Sequence, residues 1–173
     1  MKIFFAENVT FEHHHRTISA EEIKNAIDDF PGHEHFIDFY IIYNGGEFTQ
    51  NAFFYPCDSY EAARKYSPIE VASFFHISLY DDIEDTDDEE VCTFSIAEEK
   101  DRRLIASEKF EDFNLFNIPF ANNHGDNSFW IHIQTGEVRY MDFGKSYDPN
   151  DAILVAPSFY DFCKQIRATR KSS

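Results

Sequence analysis

An α+β domain is what this sequence predicts: a mainly antiparallel sheet with N-terminal helices and a C-terminal helix packed against it. Three observations carry that expectation. Phe129, Ile131 and Ile133 alternate with Ser128, Trp130 and His132, and after Gln134 to Glu137 a second run follows from Val138 to Phe143, the pattern of two strands joined by a turn. Gly136 can take the positive φ which that turn demands. Near the N-terminus, apolar residues recur at helical spacing and are followed by strong stop signals, and the chain closes on another such stripe.

In chain order, Ile3, Phe5, Val9 and Phe11 suggest a short strand or an irregular lead-in. Ser19 followed by Glu22 forms a capping-box pattern, and Ile23, Ala26, Ile27 and Phe30 then recur at i, i+3, i+4 and i+7 before Pro31 and Gly32 stop the helix. A second helix, about His33 to Tyr43, is apolar almost all round and should sit deep; Asn44, Gly45 and Gly46 end it. Ala52 to Tyr55 reads as a short strand stopped by Pro56, and Ser59 to Tyr66 as a helical turn or two. Ile69, Val71, Phe75, Ile77 and Leu79 give a period-2 pattern for a strand. Val91 to Phe94 could be another. Ser95 with Glu98 caps a helix to about Ala106, whose apolar stripe would be Ala97, Leu104 and Ile105. Ile118 to Asn127 reads as a loop leading into the hairpin. Ala152 to Val155 is a short apolar run, after which Ser158 caps a last helix with Phe159, Phe162, Cys163 and Ile166 as its stripe and Lys164, Arg167, Arg170 and Lys171 toward its negative end.

Bulk composition bounds the function. A chain of 173 residues fits one domain, residues 1–173, and its 20 Phe and 9 Tyr point to a core built from aromatic rings. With 32 Asp and Glu against 15 Lys and Arg, the formal net charge of -17 disfavours nucleic acid and anionic membranes, and makes a basic partner the natural complement. Cys57, Cys92 and Cys163 are odd in number and widely spaced, which argues against a disulfide framework or a zinc site and fits a reducing cytoplasm. No apolar run is long enough for a secretory signal or a bilayer span.

Candidate sites are few. Asp81, Asp82, Glu84, Asp85, Asp87, Asp88, Glu89 and Glu90 form an acidic run within residues 81–90, read either as a solvated surface insertion or as a docking surface for a basic protein. It lacks the Gly and the ligand spacing of a calcium loop. His13, His14 and His15 are consecutive, so they cannot all face one ion from a regular element. His124 and Asp126 flank Gly125 in what reads as a structured turn, and His132 reads as a hydrogen-bonded sheet residue. No nucleophile motif or phosphate loop is present, so neither a cofactor nor an enzymatic activity is expected.

The stretches FIDFYIIYNGG at 36–46, IPFANNHGDNSFWIHIQTGEVRYMDF at 118–143 and SFYDFCKQI at 158–166, in that order and spacing, resemble the SUKH superfamily, which includes fungal regulators of cell-wall synthesis and many bacterial immunity proteins. The resemblance spans about Ser19 to Ile166, weakly between Gln50 and Phe116. It implies an α+β domain that binds and does not catalyse. In bacteria, such proteins neutralise a cognate secreted toxin, often a nuclease, by direct contact. The expected function is therefore that of an immunity protein for a basic toxin, with the acidic run as the contact surface. The alternative is an intracellular adaptor of the same fold acting on endogenous partners.

Overall fold

The computed structural model describes residues 4–6, 8–13, 15–79 and 94–168. In chain order these form β1 (Phe11–Glu12), α1 (Ala20–Ala26), α2 (His33–Ile42), β2 (Gly46–Phe54), α3 (Glu61–Lys65), β3 (Ile69–Phe74), α4 (Ile96–Ala106), α5 (Phe110–Phe116), β4 (Asn117–Asn122), β5 (Ser128–His132), β6 (Val138–Met141), β7 (Ile153–Ala156), α6 (Phe159–Lys164) and β8 (Ile166–Ala168). All strands join one antiparallel sheet in the order β1 to β7, with β8 beside β1 along β2. The fold is thus α+β, with the mainly antiparallel sheet the sequence predicts.

The sheet buries both faces. On the inner face, α1, α2 and α6 press an aromatic core onto Phe74, Phe120, Phe129 and Ile131. Phe39 is its hub, with ring centroids at 5.3 Å from Phe4, 4.9 Å from Phe74 and 5.6 Å from Phe159. On the outer face a smaller cluster joins Trp130, Met141 and Phe143 to Phe110 and Phe113 of α5. The alternation along β5 thus separates two cores, and Trp130 donates its indole N–H to Ser128 Oγ at 2.7 Å, so its buried polar atom is satisfied.

The helix starts follow their caps. Ser19 and Glu22 form the reciprocal capping box, while Ser95 Oγ accepts from Glu98 N–H and Ser158 Oγ from Asp161 N–H. α1 ends at Ala26, and Ile27 and Phe30 reach the core from the segment beyond it.

Where α2 meets β2, the chain depends on Asn44, Gly45 and Gly46. Asn44 is buried; its Oδ1 accepts the Ile77 N–H at 2.8 Å and its Nδ2 donates to the Ile77 carbonyl at 3.1 Å. The side chain thereby serves Ile77 as a neighbouring strand would, beyond the end of β3. Gly45 (φ +73) has room for no Cβ, which would lie 2.8 Å from His76 N, and at Gly46 (φ +147) a Cβ would run into the Glu12 carbonyl and the Phe11 ring.

Several elements differ from expectation. Ile118 to Asn122 is not a loop but belongs to β4, an interior strand; Pro119 stands beside an irregularity, the β4–β5 register shifting between Pro119 and Ala121, the kind of bulge at which a strand tolerates proline. β2 begins at Gly46, not Ala52, and its polar Thr49, Gln50 and Asn51 hid it from the alternation pattern. β3 ends at Phe74, short of the Leu79 expected. α5 was not foreseen, since its start has no side-chain cap. The last helix stops at Lys164, and Ile166 and Arg167 lie in β8, paired with Phe54 and Phe53. On α4, the expected stripe is reversed: Ile105 is 88% exposed and Leu104 half-exposed, while Ile96, Glu99 and Arg103 face inward. The expected strand at Val91 to Phe94 lies almost entirely outside the described residues, as do Arg170 and Lys171.

Asn44→Ala leaves a buried N–H and a buried carbonyl of Ile77 unpaired, and the expected loss is about 2–4 kcal/mol. Urea denaturation of the purified chain measures it; a loss under about 1 kcal/mol would show that Ile77 finds other partners and that Asn44 is not the clasp described.

Candidate functional site

The acidic run Asp81, Asp82, Glu84, Asp85, Asp87, Asp88, Glu89 and Glu90 lies outside the described residues. Its flanks do not. His76 donates its N–H to the Phe94 carbonyl at 3.2 Å and accepts from Ile96 N–H at 2.9 Å, so the chain leaves the sheet after β3 and returns to α4 at one pinned point. That junction adjoins the Asn44 clasp on Ile77.

The loop between β4 and β5 holds His124 and Asp126. Asn123 Oδ1 accepts from Asn127 N–H at 3.0 Å, and Asn127 Oδ1 accepts from Phe143 N–H at 2.9 Å. His124 donates its backbone N–H to Glu70 Oε1 at 2.9 Å, its ring Nδ1 lies equally near that oxygen, and the rest of the ring is exposed. Asp126 takes the left-handed conformation at φ 63. Its carboxylate accepts from Arg102 at 2.7 Å, and its carbonyl accepts from Arg103 Nη2 at 2.7 Å. Arg103 in turn donates Nε to Glu99 Oε1 at 2.7 Å and lies 3.6 Å from the Phe143 ring centroid. Glu99 is fully buried and Arg103 is 3% exposed. The Gly125–Asp126 turn is therefore a clamp that ties the sheet to α4 through the Asp126 carbonyl on Arg103 and the Asp126 carboxylate on Arg102, and α4 turns its polar face, with the buried Glu99–Arg103 pair, inward to meet it.

Burial tends to raise the Asp126 carboxyl pKa, but the Arg102 hydrogen bond and the charges of Arg103 and Arg102 outweigh it and hold it below the ordinary carboxylate range. Below β5, burial pushes the Tyr140 hydroxyl up to about 12, with Asp142 adding to the effect; that hydroxyl accepts from Asn123 Nδ2.

His132 sits at the other end of β5, about 14 Å along the strand from the His124 loop. The two histidines and Asp126 therefore do not converge on one reacting atom. His132 Nδ1 accepts from Gln134 N–H at 3.3 Å. Its ring lines a groove of about 640 Å³ on the outer face of the sheet, with Asn117 and Arg139 beside it on the floor, Phe113 and Phe116 of α5 on one wall and Pro149 on the other. A second cleft, of about 650 Å³, opens where the end of β2 passes β7 and α6, with Tyr55, Asp161 and Arg167 at its rim.

His13 packs its ring against Tyr43, and His15 stacks on His76 at 3.6 Å; His14 is outside the described residues. Among the described residues, no three His, Cys, Asp or Glu side chains come together as a metal site, and no helix is long and apolar enough to cross a membrane. Cys57 is exposed and Cys163 buried, both as thiols.

Neither the clamp nor the groove was read from the sequence. Glu99 and Arg103 at i, i+4 look like an exposed helix pair, and only the distant Asp126 makes them a buried one. The groove depends on α5. No family model matches the chain, and neither a curated protein nor a solved structure shows detectable similarity to it.

Removing one partner of the clamp leaves a buried charge. Glu99→Gln is expected to destabilise the chain by about 3–5 kcal/mol, and Arg102→Ala, which removes the 2.7 Å donor to Glu99 Oε2 while Arg103 still holds Oε1, by a clearly smaller amount. Chemical denaturation distinguishes them, and equal losses would contradict the clamp.

Asp126 also sets an acid dependence. Because its folded pKa lies below its unfolded one, its contribution is present above the unfolded pKa and is lost as pH falls through the folded pKa. The stability gap between the parent chain and Asp126→Asn should therefore narrow as the pH falls in denaturation measurements from neutral into acid; a gap independent of pH would refute the assignment.

Proposed function

We propose that this chain is a non-enzymatic binding protein of the SUKH type, an immunity protein that neutralises a cognate secreted toxin, basic and of the nuclease kind, by direct protein contact in the cytoplasm. The observation that carries the reading is the charge: 32 acidic residues against 15 basic, with eight of the acids gathered within residues 81–90. The flanks of the run meet at His76, where the sheet and α4 are joined without it. Two of the three stretches that resemble SUKH proteins also have structural work in this fold: Asn44, Gly45 and Gly46 close the joint between α2 and β2, and Gly125–Asp126 clamps α4. Residues that keep a scaffold together are what a resemblance of fold would preserve. The contact surface would then lie elsewhere, on the acidic run and neighbouring loops.

Electrostatic attraction of this kind raises encounter rates and is screened by salt. The test is co-purification with the product of the adjacent gene, followed by titration at several ionic strengths. Affinity should fall at least about tenfold between about 0.05 and 0.5 M salt. It should also be lost when residues 81–90 are replaced by a short neutral Gly/Ser linker, while the melting temperature of the chain stays within about 4 °C of the parent. Binding no tighter than that of an unrelated basic protein, or indifferent to salt, rejects the reading. Capture of housekeeping proteins by a chain with no toxin gene beside its own would favour the adaptor alternative.

A further inference from the structure

α4 faces the wrong way for a surface helix. Its charged Glu99 and Arg103 are buried, while Leu104 is half-exposed and Ile105 almost wholly so. α5 repeats the feature: Leu115 is 64% exposed and Phe116 45%. The two helices are joined by residues 107–109 and tied side by side, Lys100 Nζ donating to the Asn114 carbonyl at 3.2 Å and Asn114 Nδ2 to the Lys100 carbonyl at 3.1 Å. Leu104 lies one turn beyond Lys100 on the face of α4 that borders α5, and Leu115 follows Asn114, so the exposed side chains flank the seam between the helices. A single exposed leucine is ordinary; four large apolar side chains gathered on one helix pair mark a surface that is covered in a complex.

The charges around the seam select what covers it. Glu98, Asp101, Glu108, Glu111 and Asp112 are all exposed on the same two helices and the turn between them, and none is in an ion pair among the described residues. The cations nearby are already engaged: Arg102 with Glu99 and Asp126, Arg103 with Glu99 and the Asp126 carbonyl, Lys109 with Asp148, and Lys100 with Asn114. The seam therefore presents apolar side chains within unopposed negative charge. A second copy of this chain, docked about a two-fold axis, would set those acids against their equals, and an anionic membrane meets the same repulsion. A segment that carries Lys or Arg on both sides of an apolar stripe meets neither obstacle. The shape fits a helix: two packed helices leave a shallow furrow into which the apolar face of a third can lie. α4, at 11 residues, is about 16 Å long, which gives such a helix about three turns of contact.

We propose that the exposed seam of α4 and α5 binds an amphipathic, basic helix of a partner protein, its apolar stripe on Leu104, Ile105 and Leu115 and its lysines or arginines beside Asp101 and Glu111. The proposal rests on the reading of the chain as the binder of a basic protein, and it puts a contact on the helices, apart from residues 81–90.

The probe is a synthetic helical peptide of about 14 residues with leucines on one face and lysines on the rest, titrated into the full chain by fluorescence polarisation. Two controls accompany it: the same composition scrambled so that no apolar face forms, and a version with glutamate in place of lysine. The designed peptide should bind the parent at least about tenfold tighter than either control. The Ile105→Ser, Leu115→Ser double variant should weaken it at least about tenfold, and the Asp101→Asn, Glu111→Gln double variant should weaken it and flatten its dependence on salt. All four side chains are in solvent, so both variants should keep the parent's melting temperature. Equal binding of the scrambled peptide, or of the designed peptide to the Ile105→Ser, Leu115→Ser variant, would overturn the proposal by reducing the attraction to net charge. So would sedimentation equilibrium in which the parent self-associates and that variant does not, since the seam would then belong to a second copy. Peptide binding that the apolar variant loses, in a chain that captures no toxin, supports the seam and rejects the toxin; toxin capture by a chain with no preference for the designed peptide does the reverse.

Discussion

The joint between α2 and β2 is the constraint from which the inner core follows. Asn44 holds both main-chain groups of Ile77, and Gly45 and Gly46 let the backbone turn against His76, Glu12 and Phe11 where a Cβ has no room. That contact sets where α2 lies over the sheet. Once α2 is placed, Phe39 sits among Phe4, Phe11, Phe74 and Phe159, rings contributed by four other segments. An aromatic core of this kind tolerates little displacement, because each ring has a limited set of favourable edge and offset arrangements. A polar side chain is thus responsible for the geometry of an almost wholly apolar interior, and Tyr40 reinforces it by donating its buried hydroxyl to the Phe75 carbonyl.

The outer face is held by a different device. It has fewer apolar residues to bury, and α4 contributes mainly charge: Glu99 and Arg103 are inside while Ile105 is out. A buried ion pair is a weak source of net stability, since the desolvation of both groups offsets much of their attraction. Its effect is on position. Held by Glu99 of its own helix, Arg103 must meet both the Asp126 carbonyl and the Phe143 ring, and these two contacts position α4 on the sheet. The α5 wall and the groove below it rest on that placement.

Legibility in the sequence divided along the same line. The hairpin, the stop after α2, the capping box at Ser19, the serine caps at Ser95 and Ser158 and the closing stripe from Phe159 to Cys163 were readable because each is a local pattern with a local cause. β4 was missed because Pro119 argues against an interior strand until the bulge is seen; α5 because seven residues with no cap carry too little signal; β8 because Ile166 and Arg167 continue a helical pattern but gain more from pairing with Phe54 and Phe53. On α4 the period was right and the face was wrong, since hydrophobicity chose Leu104 and Ile105 while the Asp126 carbonyl that Arg103 turns inward to meet lies in a loop after β4. Of the candidate site residues, His124, Asp126 and His132 were placed correctly as structural or sheet positions, and the groove beside His132 could not be seen without α5.

These divisions bear on how function and scaffold are separated in this chain. The conspicuous short motifs, Asn-Gly-Gly and His-Gly-Asp, are largely consumed by the fold: the Asn44 amide, the His124 N–H and the Asp126 carboxylate have intramolecular partners, and Gly45 and Gly46 have no room for a Cβ. The groups left over are inconspicuous in sequence. Leu104 and Ile105 read as the buried stripe of a helix, and Leu115 lies in a stretch with too little helical signal to be placed, yet all three face solvent beside carboxylates outside any ion pair among the described residues. Recognition of a partner requires unspent interactions of that kind, and a motif whose groups are mostly satisfied internally has little to offer.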